Sequence, residues 1–268
     1  MALNVLTFNL NNPSRERAER QLQYLAARPE SVLVLTETAH SAGCDFLAER
    51  FQAAGYQVTF PRPERGERGV MIVSRLGAVP LPLPTGYLPH RAVAVTVQTE
   101  TGPLEILGVY IPSRDATEVK TTRKRRFLQH LSESLPTGHG GDRLLIGDFN
   151  VLEPDHTPRY RTFQQFEYGF YTGLADAGYR DAFRLLAPDA LEYSWVGRTG
   201  DGYRYDHAHV SAGLADQVDG CTYLHEPRSG TDRLTDHSAL TVDLALAATE
   251  PLPVTDPTRA ADLVPALF

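Results

Sequence analysis

Short runs rich in Val, Ile, Leu, Thr and Tyr alternate along the chain with longer amphipathic stretches. Ten short runs predict strands: Asn4–Phe8, Val32–Thr36, Gln57–Phe60, Gly69–Ser74, Ala92–Gln98, Leu104–Ile111, Arg143–Ile146, Tyr205–Ser211, Gly220–His225 and Ala239–Leu244. Four longer stretches predict helices: Ser14–Ala27, Asp45–Ala54, Thr117–Ser134 and Phe163–Ala177. Pro13-Ser14 ahead of Arg15-Glu16-Arg17 is a helix start, and Phe127, Leu128, Leu131 and Leu135 mark one helical face. Strands and helices mixed in this way predict an α/β sandwich with a mostly buried sheet core. Pro61–Arg68 reads as a charged loop and Val79–Pro89 as a Pro- and Gly-rich one. No internal repeat stands out.

The chain has 268 residues, 42% of them hydrophobic, enough for one large core. Residues 1–246 are therefore expected to form one domain, with 247–268 as a Pro-rich C-terminal extension. Ala247–Pro257 should be irregular, and the apolar end Ala260–Phe268 a short packed helix. The two cysteines, Cys44 and Cys221, suit buried apolar positions better than a disulfide or a zinc site. Neither a signal peptide nor a membrane-length apolar run is visible, so a soluble, cytoplasmic monomer is expected. The net charge of −7 excludes a nucleic-acid binder that works by overall positive charge, but not one with a local basic face.

The polar residues at strand ends carry the chemistry. Asn9 and Asn11 follow the first strand and Glu37 the second. Tyr110 and Pro112 close another. Asp148 and Asn150 follow Leu144-Leu145-Ile146, Asp206 sits in a strand, and Asp236-His237 precedes the last one. In α/β folds, sites assemble at such ends. Singly, each residue is more often a turn former or a solvated side chain. Together they form a set of carboxylates and amides with a His and a Tyr. Hard cations such as magnesium want oxygen ligands, and phosphoester hydrolysis needs such a cation, a water-orienting carboxylate and donors aimed at developing charge.

In order, Phe8-Asn9-Leu10-Asn11, Leu35-Thr36-Glu37, Tyr110-Ile111-Pro112, Gly147-Asp148-Phe149-Asn150, Arg204-Tyr205-Asp206 and Thr235-Asp236-His237-Ser238 resemble the site motifs of the endonuclease/exonuclease/phosphatase superfamily. Asp181-Ala182-Phe183-Arg184, followed by Tyr193-Ser194-Trp195, and Gly202-Tyr203-Arg204-Tyr205-Asp206 are similar to the exonuclease III and abasic-site endonuclease branch. The resemblance implies a four-layer α/β/β/α sandwich of the DNase I type. It also implies a Mg2+- or Mn2+-dependent phosphodiesterase, foremost a nuclease with DNA as its substrate. The alternative is a phosphatase or phosphodiesterase acting on a small-molecule or lipid phosphoester. A non-catalytic binding module is disfavoured, because every main polar position is filled.

The implied roles follow residue by residue. Asn9, Glu37, Asp148, Asn150 and Asp236 would surround the metal. Tyr110, Asp148, Asn150, Asp206 and His237 would be catalytic. Asp148 would act on the attacking water, Asn150 and His237 would donate to water or phosphate, and Asp206 would orient His237. Tyr110 would contact the phosphate or assist the leaving oxygen. Asn11, Arg114, Trp195 and Tyr203 would contact substrate. The branch prefers Gln-Glu-x-Lys around the metal Glu, whereas this chain has Thr36-Glu37-Thr38-Ala39; Tyr203 and Tyr205 also replace a Trp and an aliphatic residue. These departures bear on abasic-site specificity more than on catalysis.

Alternation along the strand places His207 and His209 opposite Asp206, where packing is the expected role. His90, His139 and His156 lie in loops and are expected to be solvated. The basic run Arg114, Lys120, Arg123, Lys124, Arg125 and Arg126 is either a solvated helix face or a clamp on backbone phosphates. Trp195, Tyr203 and Tyr205 offer ring faces for stacking, or pack in the core.

Overall fold

The computed structural model describes residues 2–260. The strands are β1 (Ala2–Asn9), β2 (Val32–Thr38), β3 (Gln57–Thr59), β4 (Gly69–Ser74), β5 (Ala78–Leu81), β6 (Ala92–Thr99), β7 (Gly102–Tyr110), β8 (Asp142–Asp148), β9 (Tyr179–Asp181), β10 (Trp195–Val196), β11 (Gly202–Tyr203), β12 (Asp206–Ser211), β13 (Val218–Leu224) and β14 (Ala239–Ala247). The principal helices are α1 (Arg15–Ala26), α2 (Ala42–Ala53), α3 (Glu118–Ser134), α4 (Gln165–Asp176) and the short α5 (Ala182–Leu186).

Two six-stranded sheets result, ordered β13-β14-β1-β2-β4-β3 and β5-β6-β7-β8-β12-β9. Their facing sides share one apolar core, in which Val5, Val34 and Ile72 of the first sheet meet Val95, Ile106 and Ile146 of the second. The outer side of the first sheet, with Leu6, Phe8 and Leu35, packs on Leu22 and Leu25 of α1 and Leu47 and Phe51 of α2. The outer side of the second, with Leu107, Val109 and Leu145, packs on Phe127 and Leu131 of α3 and Phe170 and Leu174 of α4. This is the expected α/β/β/α sandwich. Burial on both faces accounts for strands that read as continuous apolar runs rather than alternating ones.

All ten expected strands and all four expected helices are present. Helix α2 begins three residues earlier than its apolar pattern does, because the Ser41 hydroxyl accepts from the Cys44 amide at 3.4 Å and caps the turn. Strand β5 lies where a loop was expected: Ala78–Leu81 pairs with β6, and Pro80 is tolerated on that sheet edge. Strands β9, β10 and β11 are too short to show a period. The Pro-rich segment after β14 is irregular but stitched to the sandwich. Gly77 donates to Glu250 at 2.8 Å, Leu252 to Arg75 at 2.9 Å and Thr255 to Ala54 at 2.8 Å. The expected helix at Ala260–Phe268 falls, beyond Ala260, outside the described residues. Both cysteines are buried and free. No helix of the described residues is long and apolar enough to cross a membrane.

Candidate active site

Parallel β1–β2 and β7–β8 pairs bring four strand ends together, and β12 adds Asp206 directly opposite Asp148. Gly147 makes the approach possible. Its φ is +148°, and a Cβ there would lie 2.1 Å from the Val109 carbonyl oxygen, so only glycine lets β8 run this close to β7. Asn11, Glu37 and Asn150 all hold positive φ, near 50°. Non-glycine residues persist there only when their surroundings hold them, and such positions cluster at functional sites.

Hydrogen bonds tie the group together. Asn9 Nδ2 donates to Asp148 Oδ2 at 3.0 Å, and Asn9 Oδ1 accepts from the Asn11 amide at 2.8 Å. The Asn150 amide donates to Asp148 Oδ1 at 2.9 Å, and Asn150 Nδ2 to the Ile111 carbonyl at 3.0 Å. Tyr110 donates its hydroxyl to Glu37 Oε1 at 2.7 Å. His237 Nδ1 lies 2.7 Å from Asp206 Oδ2. Asp236 accepts from Asn11 Nδ2 at 2.8 Å and from Trp195 Nε1 at 3.1 Å.

The electrostatics are those of crowded, buried acids. Burial, with the charges of Asp206 and Glu37, pushes Asp148 well above the usual carboxylate range, against the opposing pull of His237. Burial would make His237 less basic, but Asp206 and Asp148 outweigh it and raise its pKa to about 10. Burial and the charges of Glu37 and Asp148 raise the Tyr110 hydroxyl well above the ordinary phenol value, so it stays a neutral donor. Ligand atoms of Asp148, Asp206 and His237 lie within 4.8 Å of one another. Oδ1 of Asp206 is buried without a partner. An uncompensated group of acids in a low-dielectric cleft is what a hard divalent cation with oxygen ligands relieves, so the residues present fit such an ion. An imidazolium repels a cation, which leaves the oxygens of Asn9, Glu37, Asp148, Asn150, Asp206 and Asp236 as candidate donors.

The remaining expected residues lie around this centre. Trp195 belongs to the β10–β11 hairpin and bridges to His237. Tyr203 stacks on Tyr205 at 5.1 Å and on Tyr160 at 4.2 Å, forming a half-buried aromatic wall. A cleft of about 430 Å³ beside Asn150 is lined by Arg114, Tyr203 and Tyr205 among others. Arg114 is anchored there: its guanidinium donates to Glu167 and to the Thr162 carbonyl. Lys124 also pairs with Glu167, at 2.6 Å, and Lys120 with Asp115 at 2.8 Å. Arg123 pairs with Glu67 at 2.5 Å. Much of the basic run is thus neutralised within the protein. His207 and His209 pack against Phe149, their rings 5.2 and 5.5 Å from it, as expected of buried structural residues. His156 is not solvated as expected: it is buried, accepting from the Arg204 amide at 3.3 Å among the rings of Tyr160 and Tyr193.

Three supporting residues carry no assigned role in the sequence reading. Ser194 Oγ accepts from the amides of Tyr205 and Asp206, at 2.9 and 3.0 Å, and its carbonyl accepts from Ser238 at 2.7 Å. It thus clamps both members of the Asp206–His237 pair. Arg204, fully buried, donates to Glu153 at 2.7 Å, Asp181 at 2.8 Å and Tyr171 at 3.2 Å. Glu153 is also held by Arg184, at 2.6 and 2.7 Å. The Asp181–Arg184 and Arg204–Asp206 motifs therefore meet in one buried ionic lattice behind the site. Motif position alone could have pointed to Ser194 and Arg204. Glu153 offered no such signal.

The sequence profile of the endonuclease/exonuclease/phosphatase family matches residues 6–237. No curated protein matches by sequence. Among solved structures, the chain is similar to the 3′ phosphatase NExo from Neisseria bound to product DNA hairpin, with 25% identity and a TM-score of 0.76 over 91% of this chain and 99% of that one. It is similar to the same degree to the 3′-5′ exonuclease NExo from Neisseria meningitidis, at 25% identity and TM-score 0.76 over 90% and 99% of the two chains. An AP endonuclease from Archaeoglobus fulgidus, 22% identical, shares the fold with a TM-score of 0.75 over 90% and 99% of the two chains.

Proposed function

The chain belongs to the endonuclease/exonuclease/phosphatase family, and on that premise we propose that it is a divalent-metal-dependent phosphodiesterase that hydrolyses DNA. The observation that carries the reading is the buried assembly of Asp148, Asp206 and His237, joined to Asn9 and Asn150 by hydrogen bonds and packed close to Glu37. The Neisseria structures, one with DNA bound, support nucleic acid as the substrate.

Magnesium or manganese held by Glu37, with Asn9, Asp148 and Asp236 completing the oxygen set, would supply neutralisation of the phosphate charge and acidify water. Asp148 accepts the proton of the attacking water, whose oxygen bonds to phosphorus as the bond to the leaving sugar oxygen breaks. Asn150, its backbone fixed in the left-handed region, donates toward water or phosphate. His237, with Nδ1 committed to Asp206, presents Nε2–H to a phosphate oxygen on which charge develops. The Tyr110 hydroxyl holds Glu37 in place. Asn11 and Trp195 hold Asp236.

The test is incubation with Mg2+ and labelled duplex, single-stranded and abasic oligonucleotides, beside bis-p-nitrophenyl phosphate. Cleavage of one or more of the oligonucleotides is expected. Turnover of the small ester alone would replace this reading with a small-phosphoester hydrolase.

A further inference from the structure

A groove of about 520 Å³ opens beside the carboxylate centre, and its lining shares no residue with the cleft at Asn150. Its lining joins Asn11, Trp195 and Asp236 of the site to three arginines from separate segments: Arg17 on α1, Arg198 on the β10–β11 turn, and Arg233 on the segment leading to β14. Asp236 accepts from Asn11 and Trp195, and among the described residues no arginine pairs with it. Arg198 and Arg233 are exposed, and among the described residues neither side chain forms an ion pair or a hydrogen bond.

Arg17 is fixed rather than free. Its Nη2 donates to the carbonyls of Asn11 and Asn12, which both hold positive φ, while its buried Nε–H has no acceptor. Arg233 also holds positive φ, +37°. Its amide donates to Gly230 at 3.2 Å, and the next carbonyl, Leu234, accepts from Gln21 of α1 at 2.9 Å. A strained backbone held by its neighbours is a feature of binding segments. Three guanidinium groups gathered beside a reaction centre, on a protein of net charge −7, favour an anionic ligand there. The basic run along α3 cannot fill that part to the same extent, because Lys120, Arg123 and Lys124 are already paired with acids.

We propose that this groove carries the phosphate backbone of a nucleic-acid strand to or from the reaction centre, with Arg17, Arg198 and Arg233 as its phosphate contacts. The inference rests on the nuclease reading above and names the surface by which that substrate is held. Each phosphate neutralised by an arginine releases counterions, so affinity falls with salt at a slope of about −0.9 per contact on duplex DNA. Removing two of the three contacts should lower the slope by about 1.8.

The experiment measures anisotropy of a labelled duplex 20-mer in EDTA, across a series of salt concentrations. It uses wild type, Arg198→Ala/Arg233→Ala, Arg198→Lys/Arg233→Lys and Arg125→Ala/Arg126→Ala, with thermal melting to confirm the fold of each. The double alanine variant should show the shallower slope and at least tenfold weaker binding at low salt. The double lysine variant should keep most of the slope, and the α3 variant should match wild type. A wild-type slope in the double alanine variant, or the loss appearing in the α3 variant, overturns the groove assignment while leaving the nuclease reading intact. Wild type that neither binds nor cleaves DNA, yet hydrolyses bis-p-nitrophenyl phosphate, overturns both.

Discussion

Replacing Asp206 with Asn isolates the electrostatic part of the proposed mechanism, because it keeps the side chain's size and removes its charge. Burial disfavours the His237 cation, and the charges of Asp206 and Asp148, with the 2.7 Å bond from His237 Nδ1, lift its pKa to about 10. At pH 8 wild-type His237 is therefore almost wholly cationic. Without Asp206 the largest charge that opposes burial is gone and the pKa should fall; a return to the ordinary value of about 6.5 would leave about 3% protonated at pH 8. If the imidazolium is the form that donates to phosphate, hydrolysis at pH 8 should fall about thirtyfold from the loss of protonation alone, and the deficit should shrink as pH is lowered. Two readouts check this: the pH–rate profile on a labelled oligonucleotide, and NMR titration of the ring-labelled histidines in metal-free protein. The linkage sign is fixed by the raised folded value. The Asp206–His237 interaction stabilises the fold fully below the unfolded histidine pKa, and that stabilisation is lost as pH rises through about 10. A His237 resonance titrating at the same pH in wild type and variant would refute the reasoning.

Four further outcomes follow from the same structure. Asp148→Asn should reduce turnover by at least about 10²-fold, with an unchanged circular dichroism spectrum, since it removes the proposed proton acceptor but no packing; near-normal turnover by the folded variant would dismiss the assignment. Gly147→Ala would place a Cβ 2.1 Å from the Val109 carbonyl oxygen, so both melting temperature and activity should drop, and a variant as stable as wild type would contradict the close approach of β8 to β7. Arg204→Met should cost about 3–5 kcal/mol in denaturant unfolding, because it removes the arginine from buried Asp181 and leaves Glu153 to Arg184 alone; a change below about 1 kcal/mol would show the lattice to be dispensable. Burial opposes the charge on Glu153, but Arg184 and Arg204 prevail and bring its pKa to about 2. Its contribution, about 2 kcal/mol after allowance for screening, is present above the ordinary value near 4.5 and should vanish as pH falls toward 2 in wild type but be missing from Glu153→Gln throughout.

Much of the site is legible in the sequence because it sits where strands end. Asn9, Glu37, Tyr110 and Asp148 each follow an apolar run that could only be a buried strand, and neighbouring buried strands must bring their ends to one edge. Gly147 was visible as part of a motif, yet the reason for it, the Val109 carbonyl, belongs to another strand. The members of the Asp206–His237 pair are 31 residues apart, and the family resemblance, not a local pattern, implies their pairing. What stayed hidden is what depends on three-dimensional partners. The fate of Arg114 and Lys124 turned on Glu167, one turn into a helix with no visible role. His156 read as a loop residue, since nothing local reveals that the Arg204 amide reaches it. Strands β9 to β11 have two or three residues each, too few for a two-residue period to register.

Divalent-metal dependence through Glu37 is the claim on which the rest stands. Chelator-treated wild type and Glu37→Gln should be titrated with Mg2+ and Mn2+ while metal binding is followed by calorimetry and cleavage of a labelled duplex by gel. The account predicts no cleavage without cation, saturable recovery in wild type in step with binding, and a Glu37→Gln variant that binds more weakly and needs much more cation for any recovery. Undiminished cleavage in chelator, or a Glu37→Gln titration that overlays wild type in both signals, would contradict it.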